Sequence, residues 1–98
     1  MSREIVYRPE VKTDVDDAFR WYERQLAGLG EQFLQAVAAE VDRLADDAES
    51  YPILFRGVRA KMTVRFPYVI YFRVRPNRVE ILAVVHGHRD PRIWRRRR

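Results

Sequence analysis

The spacing of hydrophobic residues changes along the chain, from steps of three and four in the first half to alternation in the second. Two runs of β-branched and aromatic residues, 64–74 and 79–86, flank a Pro76-Asn77 turn and predict a β-hairpin. Pro76 fixes φ in such a turn, and Asn77 tolerates the left-handed conformation after it. Both faces of the first strand carry apolar groups, so the hairpin is expected at the centre of a sheet. Alternation puts Tyr68, Ile70, Phe72 and Val74 on one face and Val69, Tyr71 and Arg73 on the other.

Helical spacing covers two segments of the first half. In residues 10–26 the apolar side chains form one stripe, and Pro9 suits the first turn because the first N–H groups of a helix lack partners within it. Gly28 is expected to close this helix in a left-handed conformation. A second stripe runs from Phe33 to Ala48. The short link predicts an antiparallel helical hairpin that covers one face of the sheet.

The remaining segments complete an α+β fold with the order β-α-α-β-β-β, in which the helical hairpin packs on one face of an antiparallel sheet. Ile5 and Tyr7 belong to a short first strand that ends before Pro9. Residues 53–57 are expected to be a connecting loop. Residues 58–64 alternate apolar side chains with polar and basic ones, which predicts a half-buried strand whose other face is basic. After His86 we expect an irregular tail.

Composition indicates a single domain spanning residues 1–98, with a flexible basic tail at 95–98. The sequence contains no Cys, which excludes disulfides and thiolate chemistry and fits a reducing compartment. The first residues lack the apolar core of a signal peptide, and no apolar run approaches a membrane-spanning length. We therefore expect a cytoplasmic protein without a membrane partner.

Charge is divided unequally between the two halves of the chain. Residues 1–50 hold six basic and twelve acidic residues, a balance of −6, whereas residues 51–98 hold thirteen basic and two acidic residues, a balance of +11. Such asymmetry favours an anionic partner for the second half, either nucleic acid or an acidic protein segment. Solubility together with a solvated basic tail is the simpler alternative.

Short motifs occur in a specific order over nearly the whole chain. They are Asp17-Ala18 and Trp21-Tyr22-Glu23 in the first helix, Leu29-Gly30 and Phe33 opening the second, Pro52, Phe66-Pro67-Tyr68 with Tyr71, and Val84-Val85-His86-Gly87-His88-Arg89-Asp90-Pro91 with Trp94. Together they resemble the RelE/ParE superfamily of toxins from bacterial type II toxin-antitoxin systems, often labelled plasmid stabilisation proteins. The resemblance implies the same α+β fold.

The resemblance implies one of two activities. RelE-like members cleave mRNA in the ribosomal A site without a metal, using basic side chains and a Tyr or His as acid and base, whereas ParE-like members act on DNA gyrase. RelE-like members usually carry Arg at the position of Val69 and often Tyr at the position of Trp94. Neither Val nor Trp can transfer a proton or carry a positive charge there. The chain is therefore expected to be ParE-like and to bind its target without catalysing a reaction.

Two alternatives remain open: a ribosome-dependent endoribonuclease, and a degenerate member that binds its antitoxin without being toxic. Candidate catalytic residues for the nuclease are His86, His88 and Arg89, because histidine titrates near neutral pH and Arg89 matches the superfamily's C-terminal Arg. A histidine at the end of an apolar strand is more often packed at the margin of a core. His86, His88 and Asp90 are a weak metal-binding signal, so no metal or cofactor is expected.

The resemblance also implies a cognate antitoxin that forms a hetero-oligomer with this chain. Its acidic C-terminal segment is expected to lie across the sheet face that the helices leave uncovered, with apolar strand residues as anchors. Positive side chains would meet its acidic groups or, in the nuclease alternative, RNA phosphates. The candidate binding residues are Arg59, Lys61, Arg65, Arg73, Arg89 and Trp94.

Overall fold

In the computed structural model, which describes residues 2–87, two helices pack on a five-stranded sheet. The elements are β1 (Glu4–Tyr7), α1 (Pro9–Gln25), α2 (Leu29–Asp47), a short 3-10 turn (Ala48–Ser50), β2 (Ile53–Phe55), β3 (Val58–Met62), β4 (Tyr68–Val74) and β5 (Arg78–His86). The α+β class predicted from the sequence is confirmed. Pro9 occupies the first helical position of α1, as expected.

The strand order is β1-β5-β4-β3-β2. All neighbouring strands are antiparallel except β1, which pairs in parallel with β5 at the edge of the sheet. The predicted loop at 53–57 is wrong in part, because Ile53–Phe55 forms the other edge strand. Arg56 and Gly57 both have positive φ, 47° and 81°, and these left-handed residues allow the tight connection from β2 to β3.

The β4–β5 hairpin lies at the centre of the sheet, as the sequence predicted. Asn77 does not adopt the left-handed conformation that it would tolerate, since the described residues with positive φ are Gly28, Arg56 and Gly57. The turn instead closes through a hydrogen bond from the Arg75 amide to the Arg78 carbonyl, at 2.8 Å. Leu82 forms a bulge in β5, because Ala83 pairs with Tyr71 and the next pair is Ile81 with Phe72.

Gly28 and the Glu23 carboxylate shape the turn between α1 and α2. Gly28 has a φ of 88°, which confirms the expected left-handed residue, and α2 begins directly after it, four residues before Phe33. The Glu23 carboxylate accepts hydrogen bonds from the Gly28 and Gly30 amides, at 3.2 and 2.8 Å. A Cβ on Gly30 would lie 2.8 Å from the Phe19 ring, so only glycine lets the helices approach this closely.

An aromatic cluster joins both helices to the sheet. Phe33 of α2 is fully buried, and its ring centroid lies 5.2 Å from that of Tyr22 in α1 and 4.9 Å from that of Tyr68 in β4. Phe66 packs edge-on against Tyr22, at 4.9 Å. Ile70 and Phe72 face the same core, which confirms the predicted division of β4 into two faces.

Candidate partner-binding surface

The sheet face opposite the helices is apolar but mostly buried. Its side chains come from three strands and pack on one another as a second cluster, built around Val58, Val69, Tyr71, Ala83 and Val85. The sequence predicted that this face is partly buried or reserved for a partner, and the placement of an antitoxin segment across it stays a prediction. Exposed apolar side chains occur at Met62 and just after β3 at Val64, 68% and 92% exposed, and on the two edge strands. Burial raises the pKa of the Tyr71 hydroxyl above its ordinary value of 10.0.

The basic face of β3 is turned toward the helical layer, which corrects the expectation of an outward basic face. Lys61 pairs with Ile70, whose side chain lies in the helix-facing core, and Lys61 is only 5% exposed. Its ammonium group donates a hydrogen bond to the Glu40 carbonyl at 3.0 Å and lies 3.6 Å from the Glu40 carboxylate. A buried ammonium needs such partners, because desolvation would otherwise destabilise its charge. Lys61 is therefore held inside the chain and is not presented to a partner.

Other predicted cations are also tied to nearby backbone or side chains. Arg59 donates to the carbonyls of Glu49 and Tyr51, at 3.0 and 2.6 Å, and so fixes the turn after α2. Arg65 is exposed, donates to the Gln32 side chain, and its guanidinium lies 5.2 Å from the Phe66 ring centroid. Arg65 therefore keeps a positive charge at the surface beside the aromatic cluster.

Four arginines form a basic patch where the β4–β5 hairpin turns, and we call them the hairpin-end arginines: Arg56, Arg73, Arg75 and Arg78. Arg73 donates to the Arg56 carbonyl at 3.1 Å, and Arg75 donates to the Glu80 carboxylate at 2.8 Å. That hydrogen bond, with the positive charges of Arg75, Arg78 and Arg73, lowers the pKa of Glu80. One carboxylate balances only part of this charge.

Sequence analysis selected Arg73 alone from this patch. The signal that could have found the others is the density of arginine around the turn, at 73, 75 and 78, with Glu80 as the acidic residue of the same segment. Arg56 gave no comparable signal, because its segment was expected to be a loop without a strand partner. The β2–β3 turn places it beside Arg73.

His86 lies at the end of β5, opposite Tyr68, with the two ring centroids 5.5 Å apart. Two adjoining crevices of about 340 and 380 Å³ open beside it, and both are lined by Trp21 and Tyr68. Among the described residues, the acidic side chains that line the 340 Å³ crevice are Asp14 and Asp17. Asp14 also accepts a hydrogen bond from the Val84 amide at 3.1 Å. Asp17 is paired with Arg20 at 2.7 Å, so a phosphate approaching His86 from this side would meet two carboxylates and one compensating cation.

Three predicted site residues, His88, Arg89 and Trp94, lie outside the described residues, as do Asp90 and the basic tail at 95–98. Within residues 2–87, no three His, Cys, Asp or Glu side chains are grouped as a metal ion would need. Across the same residues, neither helix combines the length and apolar character required to span a membrane.

Comparison with known structures first defines the class of fold. A solved structure described as the chromosomal ParDE TA system from P. aeruginosa matches with a TM-score of 0.78 at 20% sequence identity. The match covers 87% of this chain and 96% of that one. At this identity the likeness establishes the fold, a helical hairpin on a mostly antiparallel sheet. No curated protein sequence matches the chain.

The family follows from the sequence profile. The model of the ParE toxin of type II toxin-antitoxin system, parDE, matches residues 5–91. The chain therefore belongs to the ParE toxin family. This confirms the resemblance to the RelE/ParE superfamily and its ParE-like assignment.

Proposed function

We propose that this chain is the toxin of a type II toxin-antitoxin pair and acts by binding DNA gyrase, without cutting RNA. The observation that carries the proposal is the surrounding of His86, the one candidate base among the described residues. Its crevice is lined by the carboxylates of Asp14 and Asp17. Cleavage beside a ribose hydroxyl needs cations around the phosphate to stabilise the developing charge.

The positions of the cations support the same conclusion. Lys61 and Arg59 donate to carbonyl groups of α2 and the turn after it. Val69, where RelE-like members carry Arg, is buried in the second cluster opposite Val85. A charged group at that position would be desolvated without a partner. These residues stabilise the fold and offer a substrate neither charge nor a proton.

The target is tested with the purified chain in two parallel assays. We expect inhibition of supercoiling by DNA gyrase and intact mRNA ends on programmed ribosomes. His86→Ala and His88→Ala are expected to leave the mRNA result unchanged. Codon-specific cuts that disappear in either histidine variant would overturn the gyrase proposal in favour of the endoribonuclease, and a chain inactive in both assays would indicate a degenerate member.

We further propose that an antitoxin neutralises the toxin through an acidic segment bound near the hairpin-end arginines. Support comes from the local excess of positive charge, and an extended segment that ran from this patch along β3 would reach the exposed Met62 at the other end of the strand and Val64 just beyond it. Arg65 adds a further surface cation. The internally bonded Arg59 and Lys61 contribute to this surface only indirectly, by holding β3 in place.

The antitoxin proposal is tested with any small acidic protein that the neighbouring reading frame encodes. Co-expression is expected to restore growth that the toxin alone slows. Arg73→Glu should weaken binding of the two purified proteins about tenfold, because a repulsive charge replaces an attractive one at the patch. Arg24→Glu, at an exposed position in the last turn of α1, is the matched control and should change affinity little. Equal losses for both variants would contradict a specific role for the hairpin-end arginines.

A further inference from the structure

The outer face of the sheet, opposite the helices, is buried although none of the described helices packs on it. Tyr71 in β4 is 7% exposed, and Leu82 and Ala83 in β5 are 2% and 0% exposed. Within residues 2–87, the side chains of the second cluster all come from strands, and the helices lie against the other face. An antiparallel sheet with helices on one side commonly leaves its other face open to water. The low exposure therefore calls for a cover on the outer face.

The burial of the outer face is local. Met62 pairs with Val69, and the side chains of paired residues lie on the same side of a sheet. Met62 is 68% exposed, whereas Val69 is 9% exposed. The cover therefore lies over β4 and β5 and stops short of the end of β3.

No partner is needed to account for this burial. The exposures are those of one chain by itself, so neither an antitoxin nor a second copy contributes to them. The chain also leaves β5 at the border of the outer face. The Gly87 amide donates to the Pro67 carbonyl at 2.7 Å, and a Cβ on Gly87 would lie 3.9 Å from the Cγ2 atom of Val69. Gly87 thus brings the chain beside the second cluster.

We propose that residues 88–94 of the same chain cover the outer face, with their apolar side chains against the second cluster. These side chains are Pro91, Ile93 and Trp94. The segment can reach, because seven extended residues span up to about 23 Å, and two strand spacings, from β5 to β3, are only about 10 Å. The four arginines at 95–98 are left out of the cover, because unpaired charges are costly to bury on an apolar face. This inference is independent of the proposed gyrase and antitoxin functions.

Fluorescence quenching of the purified full chain tests whether Trp94 is packed. The sequence contains two tryptophans, so Trp21→Phe leaves Trp94 as the fluorophore. Trp94→Phe is the matched control, because it leaves Trp21, which is 51% exposed. We expect acrylamide to quench Trp94 at least about threefold less effectively than Trp21, since a quencher reaches a packed side chain only when its contacts open. Equal quenching of the two tryptophans would overturn the proposal.

Thiol labelling tests where the cover lies. The chain has no native cysteine, so Val69→Cys places a single thiol under the proposed cover, and Val64→Cys places one at a 92% exposed position outside it. Adding Trp94→Asp should speed labelling of the Val69→Cys thiol about tenfold or more, because a charge in place of the ring weakens contact with the second cluster. The same addition should leave labelling of the Val64→Cys thiol unchanged.

Three results of the labelling experiment would overturn the proposal. The first is rapid labelling of Val69→Cys while Trp94 is intact, and the second is a rate that Trp94→Asp does not alter. The third is slow labelling that needs a high protein concentration or an added acidic partner, which would make a second copy or an antitoxin the cover. If circular dichroism shows that Trp94→Asp unfolds the chain, Trp94→Ala replaces it with the same expected increase in rate.

Discussion

Single buried charges fix how the layers of this protein meet. The Lys61 ammonium reaches from β3 to α2 and lies 5.2 Å from the Tyr51 ring centroid, while the Glu40 carboxylate also accepts from Arg43 at 2.7 Å. Because Glu40 has this second cation, its charge is not left alone when Lys61 is removed. The Glu40 carbonyl, by contrast, would lose its side-chain donor.

Lys61→Met keeps the length of the side chain and removes its charge. We expect the free energy of unfolding to fall by about 2–4 kcal/mol, because a buried acceptor and part of a buried ion pair lose their partner. Urea denaturation of the purified chain measures this change. Lys12→Met is the matched control in an exposed ion pair and should cost less than about 1 kcal/mol. A similar loss in both variants would contradict the role of burial.

At the scale of elements, the β4–β5 hairpin carries positive charge at the end away from His86. Arg75 and Arg78 flank the turn, and Arg73 pairs across the strands with Glu80. The carboxylate thus lowers the repulsion between arginines that the hairpin brings together. The ionisation of Glu80 therefore makes the stability of the hairpin depend on pH.

Because its pKa is lower in the folded chain, ionised Glu80 stabilises the fold above the ordinary value of 4.5, and this contribution is lost as pH falls through the folded pKa. Glu80→Gln is therefore expected to destabilise the protein at neutral pH and to reduce the further loss of stability below 4.5. Urea denaturation across this pH range measures both effects. Glu4→Gln, on the exposed edge strand, is the control. An unchanged pH profile in Glu80→Gln would contradict this linkage.

At the scale of the whole molecule, the aromatic cluster makes one core of the helices and the sheet. Phe33 contacts rings from α1, β4 and the segment before β4, so a cavity there affects every layer. The acidic helices and the basic hairpin are joined through this apolar centre. Their opposite charges remain at the surface, where they are available to steer a partner.

Phe33→Leu should lower the free energy of unfolding by about 1–3 kcal/mol, because the smaller side chain leaves a cavity among rings that cannot fully close it. Trp21→Leu removes a larger ring that is 51% exposed and should cost less. Denaturation of both variants by urea makes the comparison. If Trp21→Leu were the more damaging change, the cluster around Phe33 would not be the centre of stability.

Local pattern in the sequence determined the helices, the hairpin and the division of β4 into two faces. Apolar residues with helical spacing lie on one face only if the segment is helical, so the spacing predicts the helix. Pro9 and Gly28 mark the two ends of the first helix, because the backbone conformation each favours depends on local sequence alone. The order of motifs likewise placed the chain in its family. Tyr22, Phe33 and Tyr68 of the core were predicted because each lies on an apolar stripe or strand face, whereas the burial of Phe66 was not predicted.

Only the tertiary structure decided which layer each face meets. Alternation in residues 58–64 separates Lys61 from Met62 but does not say which of them faces the helices, because a strand covered on both sides can be paired either way round. The parallel pairing of β1 with β5 joins residues more than 70 positions apart, as Glu4 with Arg78. The carboxylates beside His86 come from α1. Such partners are chosen by packing between distant segments, which no local pattern contains.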